Sequence, residues 1–117
     1  NVVASITAIG EVAGKNIIIV DDMVDTAGTL AKAANVLKDM GAVSVRACAT
    51  HPVFSGSAYE KIANSALEEV IVSDTIPLSN DPAKDKSKIT VLTMAKMFAN
   101  IIRKVYNYEE ISSSFIN

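Results

Sequence analysis

Apolar and polar positions alternate along this chain in blocks that predict strands and helices in turn. Residues 16–20 form a short, mostly β-branched run, which is typical of a central parallel strand with both faces covered. Apolar residues recur at helical spacing over 28–40, and Gly41 follows as a C-terminal cap. The remaining predicted elements are a weak strand at 2–9, strands at 44–50, 69–73 and 89–92, and helices at 57–67 and 93–106. Alternating strands and helices predict an α/β fold with a three-layer, mostly parallel sheet.

Composition narrows the classes that the chain can belong to. At 117 residues it forms one domain at most, and a hydrophobic share of 50% argues against disorder. A net charge of −2 without a basic block argues against a nucleic-acid or membrane-surface role. The single cysteine, Cys48, lies in an apolar run and is expected to be a buried free thiol. With no spanning-length apolar run or signal peptide, the cytoplasm is the expected compartment.

Two acids, Asp21 and Asp22, directly follow the strongest predicted strand. We expect them in a loop at the carboxyl end of that strand, where open α/β sheets bind ligands. Ionised carboxylates accept several hydrogen bonds and therefore suit the vicinal hydroxyls of a sugar. They also suit Mg²⁺, which takes one or two carboxylates and keeps several waters. The alternative is that both acids only end the strand and cap a turn.

The next five residues, Asp25, Thr26, Ala27, Gly28 and Thr29, predict a phosphate-binding loop. Small side chains let backbone N–H groups approach an anion, and glycine at the fourth position permits an unusual backbone angle. The free N–H groups and positive dipole end of the following helix favour a phosphate there. The alternative is ordinary N-capping of that helix by the aspartate or the first threonine. Both interpretations can hold together.

These residues resemble a known family. Residues 17–29 match the type I phosphoribosyltransferase pattern of an apolar run, two acids, two apolar residues and a small phosphate loop. The particular form of residues 20–29, VDDMVDTAGT, is similar to the ribose-phosphate pyrophosphokinase family. Further likeness lies in residues 9–14, 50–56, 73–77 and 111–115, so that the resemblance covers essentially the whole chain.

The resemblance implies a fold, an activity and a set of ligands. Members of the family transfer the β,γ-diphosphoryl group of ATP to ribose 5-phosphate and form phosphoribosyl pyrophosphate (PRPP), with Mg²⁺. It implies that Asp21 and Asp22 meet the ribose hydroxyls near the metal and that residues 25–29 hold the 5-phosphate. It also implies that the chain is the C-terminal part of the sugar-phosphate domain, without the ATP-binding N-terminal domain. Such a fragment is expected to be inactive alone, because diphosphoryl transfer needs positioned ATP and cationic groups.

Three more positions are candidates for function. His51 is the only histidine and follows a predicted strand, so the resemblance places it near a nucleotide or a subunit contact. Ser55 is expected to cap a helix or to contact an anion. The resemblance implies homo-oligomers with a regulatory site that includes Ser112, although Glu110 there would repel phosphate. The last helix is apolar over a wide arc, so we expect an exposed apolar side or a contact with another chain.

Two other functions remain open from the residues. A PRPP-binding regulator or non-catalytic associated subunit could use the same loop without catalysis. A receiver-like phospho-acceptor domain also begins with a strand that runs into two acids, and Asp74 could supply its third acid. That alternative gives no reason for the loop at residues 25–29.

Overall fold

Four parallel strands form one sheet whose spatial order follows the chain, in a computed structural model that describes residues 10–115. The elements are β1 (Asn16–Val24), α1 (Gly28–Asp39), β2 (Ser44–Pro52), α2 (Ala58–Ala63), β3 (Glu69–Ser73), β4 (Ile89–Leu92) and α3 (Ala95–Tyr106), followed by a 3₁₀ turn at Ser112–Ser114. The α/β class and the parallel sheet are therefore confirmed. The weak strand predicted at 2–9 lies outside the described residues.

The first strand is longer than the sequence pattern predicted. It was expected to end at Val20, but it pairs with β2 beyond that point, with Asp21 opposite Ala49 and Val24 opposite Pro52. Asp21 and Asp22 thus lie within the strand, and their expected position in a loop is wrong. Backbone pairing with β2 continues past the apolar run because it does not depend on side-chain polarity.

The end of α1 fixes the turn into β2. Gly41 has a positive φ of 98°, and its N–H donates to the carbonyl of Lys38 at 3.0 Å. The N–H of Ala42 donates to the carbonyl of Leu37 at 3.2 Å, which completes a Schellman motif. The predicted C-terminal glycine cap is therefore confirmed.

The core lies between the sheet and the two crossover helices. Consecutive parallel strands joined by right-handed crossovers place α1 and α2 on the same face of the sheet. The buried residues on this face include Ala34 of α1, Tyr59 and Ile62 of α2, and Val45 and Val70 of the strands. This layer packs α1 against β2 and α2, and β2 pairs with β1, so that both ends of the loop between β1 and α1 are fixed.

The opposite face of the sheet is open among the described residues. Ile18 is 65% exposed and Val20 is 75% exposed, whereas Val70 on the covered face is fully buried. Cys48, the neighbour of Val20 in β2, is a free thiol that is half-buried rather than buried. Residues 10–115 therefore form the sheet and one helical layer, and the second helical layer is not formed by this part of the chain.

The last helix, α3, projects beyond the sheet with no fully buried residue. Its apolar side chains are largely exposed, with Ile102 at 67% and Val105 at 57%. The predicted exposed apolar side of this helix is confirmed. Within the described ranges, none of the helices has the length and apolar content needed to cross a membrane.

Candidate sugar-phosphate site

A small cavity lies where β1 passes into α1. Its volume is about 140 Å³, and it is lined by Asp21 and by every residue from Met23 to Leu30. Most of its polar side chains are exposed, whereas Val24 and Ala27 are buried beneath it. The structure thus brings together Asp21 and all five residues of the predicted phosphate loop.

The unusual backbone angle in this loop belongs to Ala27, which has a φ of 66° and is the N-cap residue of α1. Gly28 is the first helical residue and has no positive φ, so the expectation that it supplies the special angle is wrong. No side chain caps the helix, which rules out the predicted capping by Asp25 or Thr26. Ala27 instead contributes its carbonyl, which accepts the N–H of Ala31 at 2.9 Å.

The backbone N–H groups at residues 26–30 have no hydrogen-bond acceptor among residues 10–115. An α-helix leaves its first N–H groups unpaired, and here no side chain takes them. The residues that carry these N–H groups line the cavity, and Thr26 and Thr29 among them also carry hydroxyls. The loop therefore presents several donors and the positive end of the α1 dipole, which together favour an anion.

Lys61 of α2 adds a positive charge beside the same loop. A Cβ atom built on Gly28 would stand 3.7 Å from the Lys61 Nζ and 3.9 Å from the Thr26 Oγ1. The glycine therefore leaves space beside a cation at the start of α1. Lys61 could not be predicted as a site residue, because nothing in the chain pattern indicates that α2 packs beside this loop.

The paired acids each bond the backbone that follows them. Asp21 Oδ1 accepts the N–H of Asp22 at 2.8 Å, and Asp22 Oδ1 accepts the N–H of Met23 at 2.7 Å. Both residues are exposed, and a carboxylate has further acceptor capacity beyond one such bond. Only Asp21 lines the cavity, so the role of Asp22 toward a ligand stays a prediction.

Asp25 is bonded to the loop that follows β2. Its carboxylate Oδ1 accepts the hydroxyl of Ser55, and its carbonyl accepts the Ser55 N–H at 3.0 Å. The neighbouring Phe54 N–H donates to the carbonyl of Val24, also at 3.0 Å. Ser55 was expected to cap a helix or to contact an anion, but its hydroxyl is directed to Asp25. The carboxylate of Asp25 thus holds two loops together.

Two other predicted residues lie outside the cavity. His51 Nδ1 is 2.8 Å from the Thr75 Oγ1, and the histidine is not among the lining residues. Ser112 lies in the 3₁₀ turn after α3, where its hydroxyl donates to Glu110. Neither side chain is brought to the loop, and their suggested nucleotide, interface and regulatory roles stay predictions.

Asp74 takes part in a structural contact rather than in an acid cluster. Its carboxylate accepts the hydroxyl of Thr93 and, at 2.8 Å, the N–H of Met94 at the start of α3. The Thr93 hydrogen bond, followed by the Met94 bond, holds the pKa of Asp74 below its ordinary value. Among residues 10–115 no three His, Cys, Asp or Glu side chains are grouped so that they could hold a metal. The receiver-like alternative, which needs three acids together, is not supported.

The fold and this loop define a class: a parallel α/β domain with unpaired amides and a carboxylate at the carboxyl end of one strand. Comparison with known protein families identifies the particular family within this class. The sequence profile of the phosphoribosyl synthetase-associated domain matches residues 2–116, and the chain belongs to this family.

Individual relatives agree with this assignment. The ribose-phosphate pyrophosphokinase of Wolinella succinogenes is 57% identical over 116 residues, which is 99% of this chain and 36% of the relative. The enzyme of the same name from Shewanella oneidensis is 55% identical over 115 residues, 98% of this chain and 36% of its own length. A crystal structure of phosphoribosylpyrophosphate synthetase from Mycobacterium smegmatis superposes with a TM-score of 0.81 at 43% identity, over 86% of this chain and 33% of that one.

The chain spans about a third of the length of these relatives. The C-terminal placement that the sequence resemblance implied is not confirmed by the matches. The resemblance to the ribose-phosphate pyrophosphokinases is borne out at the level of the family.

Proposed function

We propose that this chain binds ribose 5-phosphate or PRPP, as part of a ribose-phosphate diphosphokinase that converts ATP and ribose 5-phosphate to PRPP and AMP. The observation that carries the proposal is the cavity at the end of β1, where Asp21 and the unpaired amides of residues 26–30 face one space. A sugar phosphate needs both kinds of group at once, acceptors for its hydroxyls and donors for its phosphate. The family and the names of the relatives support the same ligand.

Different residues of the site bind the phosphate and the ribose of the ligand. The amides around Ala27 and Gly28 bind the 5-phosphate, and the hydroxyls of Thr26 and Thr29 add donors. The carboxylate of Asp21 accepts the ribose hydroxyls, and Asp22 supports it or faces a metal-bound water. The cavity is narrow and exposed, so the rest of the ligand extends away from the loop toward solvent.

Mg²⁺ fits this set of donors as an ion held jointly by protein and ligand. Mg²⁺ is usually bound through one or two carboxylates together with substrate phosphates and waters. Asp21 and Asp22 supply adjacent carboxylates of this kind. When bound, the ion would neutralise the charge of a diphosphate and would orient it.

The activity belongs to a longer protein than this chain. Diphosphoryl transfer requires bound ATP and cationic groups that stabilise the transferred phosphates. Residues 26–29 supply neutral amides and hydroxyls, and the exposed Lys61 is a cation beside them. We therefore propose that the chain binds its ligand but is inactive alone. Homo-oligomer formation and a regulatory role for Ser112 belong to the same proposal.

A titration of the chain with ribose 5-phosphate and Mg²⁺, followed by amide chemical shifts, tests the proposal. The largest shifts are expected from residue 21 to residue 30, and ribose without phosphate should leave the shifts of Gly28 and Thr29 nearly unchanged. Inorganic phosphate should move the loop amides but not the signals of Asp21. Uniform small shifts over the whole chain, or none at the loop, would contradict the proposal.

A further inference from the structure

The loop between β2 and α2 forms three hydrogen bonds with the end of β1 and the start of the phosphate loop. The Phe54 N–H donates to the carbonyl of Val24, the last residue of β1, at 3.0 Å. Ser55 makes the other two bonds, both to Asp25 of the phosphate loop. Its N–H donates to the Asp25 carbonyl at 3.0 Å, and its hydroxyl donates to the Asp25 carboxylate.

The second loop can make these bonds because Phe54 has an uncommon backbone conformation. Its φ is 47°, a value that is rare for a bulky residue and is energetically unfavourable. Phe54 is buried, and its ring packs on Tyr59 with centroids 5.1 Å apart in an edge-to-face arrangement. Burial of the aromatic side chain offsets the unfavourable backbone conformation.

The bond to Ser55 also explains an acid beside a predicted phosphate. Asp25 would repel the dianion if its carboxylate pointed into the cavity without a partner. One of its oxygens is instead occupied by the Ser55 hydroxyl, and hydrogen bonds to a charged acceptor are among the stronger ones. The loop can then present its amides to an anion while its own acid is held by the neighbouring loop.

We infer that Ser55 is a positioning residue for the sugar-phosphate site, acting through Asp25. It does not line the cavity and touches no ligand group itself. Its hydroxyl fixes the side chain of Asp25 and, with the backbone bonds, the conformation in which residues 26–29 bind phosphate. The ligand-binding part of this inference rests on the proposed function, whereas the loop-ordering part does not.

Ser55→Ala tests the inference, with Ser57→Ala as its matched control. Ser57 lies two residues further on, is exposed, and its side chain forms no cap hydrogen bond on α2. In the ligand-free chain, Ser55→Ala should lower the backbone order parameters of Thr26 to Thr29, and Ser57→Ala should leave them unchanged. With ribose 5-phosphate and Mg²⁺, Ser55→Ala should weaken binding about fivefold to tenfold, which is the net contribution of one typical hydrogen bond.

A variant that restores the hydroxyl distinguishes a positioning role of Ser55 from a general effect on folding. Ser55→Thr keeps the hydroxyl and should restore both the loop order and the affinity, while Ser55→Ala and Ser55→Thr should have similar unfolding midpoints in urea. Asp25→Ala combined with Ser55→Ala should weaken binding no more than the larger single change does, because each substitution removes the same shared contact.

Failure of the proposed function and failure of the inference about Ser55 can be distinguished by their results. If the unmodified chain does not bind ribose 5-phosphate, the proposed function fails, and the order parameters still decide the role of Ser55. If the chain binds and Ser55→Ala leaves both loop order and affinity unchanged, the inference about Ser55 is overturned.

Discussion

Two non-glycine residues with positive φ, Ala27 and Phe54, lie on the two loops that meet at the end of β1. Residues held in sparsely populated backbone regions cluster at functional sites, because only a surrounding structure that over-determines them keeps them there. Ala27 is buried at 5% exposure, and the bonds to the second loop begin only two residues before it. Ala27 thus lies among the residues 26–30 whose N–H groups have no acceptor within residues 10–115, and free amides of this kind are what a phosphate would use.

Gly28→Ala should separate stability from binding at this loop. Gly28 has no positive φ, and an added Cβ would meet its nearest atoms at 3.7 Å and 3.9 Å, which is ordinary contact. Alanine should therefore stabilise the fold by about 0.5–1 kcal/mol, since the unfolded chain loses freedom. The added methyl group should nevertheless weaken ribose 5-phosphate binding about tenfold, because it stands where the phosphate approaches the amides.

Urea unfolding and the amide-shift titration measure the two effects of Gly28→Ala. Gly41→Ala is the control, since its φ is 98° and an added Cβ would lie 3.2 Å from the Cβ of Ala13. It should destabilise the chain by about 1–2 kcal/mol without changing the loop. Unchanged affinity in Gly28→Ala would show that the phosphate does not approach this residue.

At the residue level the sequence indicated the segment that lines the cavity, but not the conformation or the partners of its residues. Residues 25–29 could be selected because small and hydroxyl-bearing residues follow a strand there. Which residue takes the positive φ depends on packing beneath the loop, so the special angle was assigned to Gly28 instead of Ala27. The partner of Asp25 could not be predicted, because Ser55 is 30 residues away and meets it only through the parallel pairing of β1 with β2.

At the scale of secondary-structure elements, one carboxylate connects the end of β3 to the start of α3. Asp74 follows β3 directly, and its bonds to Thr93 and Met94 tie that position to the first turn of α3. An acceptor at a helix start satisfies an N–H that the helix leaves free. Asp74 therefore orients a helix that has few other contacts with the sheet.

This contact should make stability depend on pH in the acidic range. The Thr93 and Met94 hydrogen bonds lower the pKa of Asp74 in the folded chain below its ordinary value of 3.8. A carboxyl whose pKa falls on folding stabilises the fold above its unfolded pKa, and that contribution is lost as pH falls through the folded pKa. Thr93→Val should raise the Asp74 pKa toward 3.8 and should reduce the loss of stability on acidification.

An NMR titration of the Asp74 carboxyl carbon measures this shift, and urea unfolding below pH 5 measures its consequence. Thr93→Ser keeps the hydroxyl and should titrate like the unmodified chain. An Asp74 pKa that is unaffected by Thr93→Val would mean that the hydroxyl does not bond the carboxylate in solution.

Element boundaries were predictable where the pattern was local. The bounds of β3 and β4 match the prediction because each is a short apolar run between polar residues. Helix α2 ends at Ala63, earlier than the pattern suggested. Its expected last turn is held by distant groups instead, with Asn35 accepting the Ala66 N–H at 2.8 Å and Lys88 donating to the Ser65 carbonyl at 2.9 Å. Contacts of this kind are not visible in sequence periodicity.

At the scale of the whole molecule, the described residues form an asymmetric domain. One face of the sheet is packed against α1 and α2, and the other carries exposed Ile18 and Val20. Parallel sheets are normally covered on both faces, which is why their strands read as continuous apolar runs. The sequence predicted β1 as a central strand that is covered on both faces. Among residues 10–115 this prediction is wrong, because β1 lies at the edge of the sheet and is covered on one face only.

Matched valine substitutions on the two faces measure this asymmetry. Val70→Ala removes two methyl groups from a fully buried position and should destabilise the chain by roughly 2 kcal/mol, through lost burial and the cavity that remains. Val20→Ala removes the same groups from a residue that is 75% exposed and should cost less than about 0.5 kcal/mol. Urea unfolding compares the two variants at equal chain concentration, and sedimentation checks that both remain in the same association state.

A loss of stability at Val20 close to that at Val70 would mean that the open face is covered in solution. A Val20 cost that rises with chain concentration would identify a second copy of the chain as the cover, because association then contributes to the measured stability.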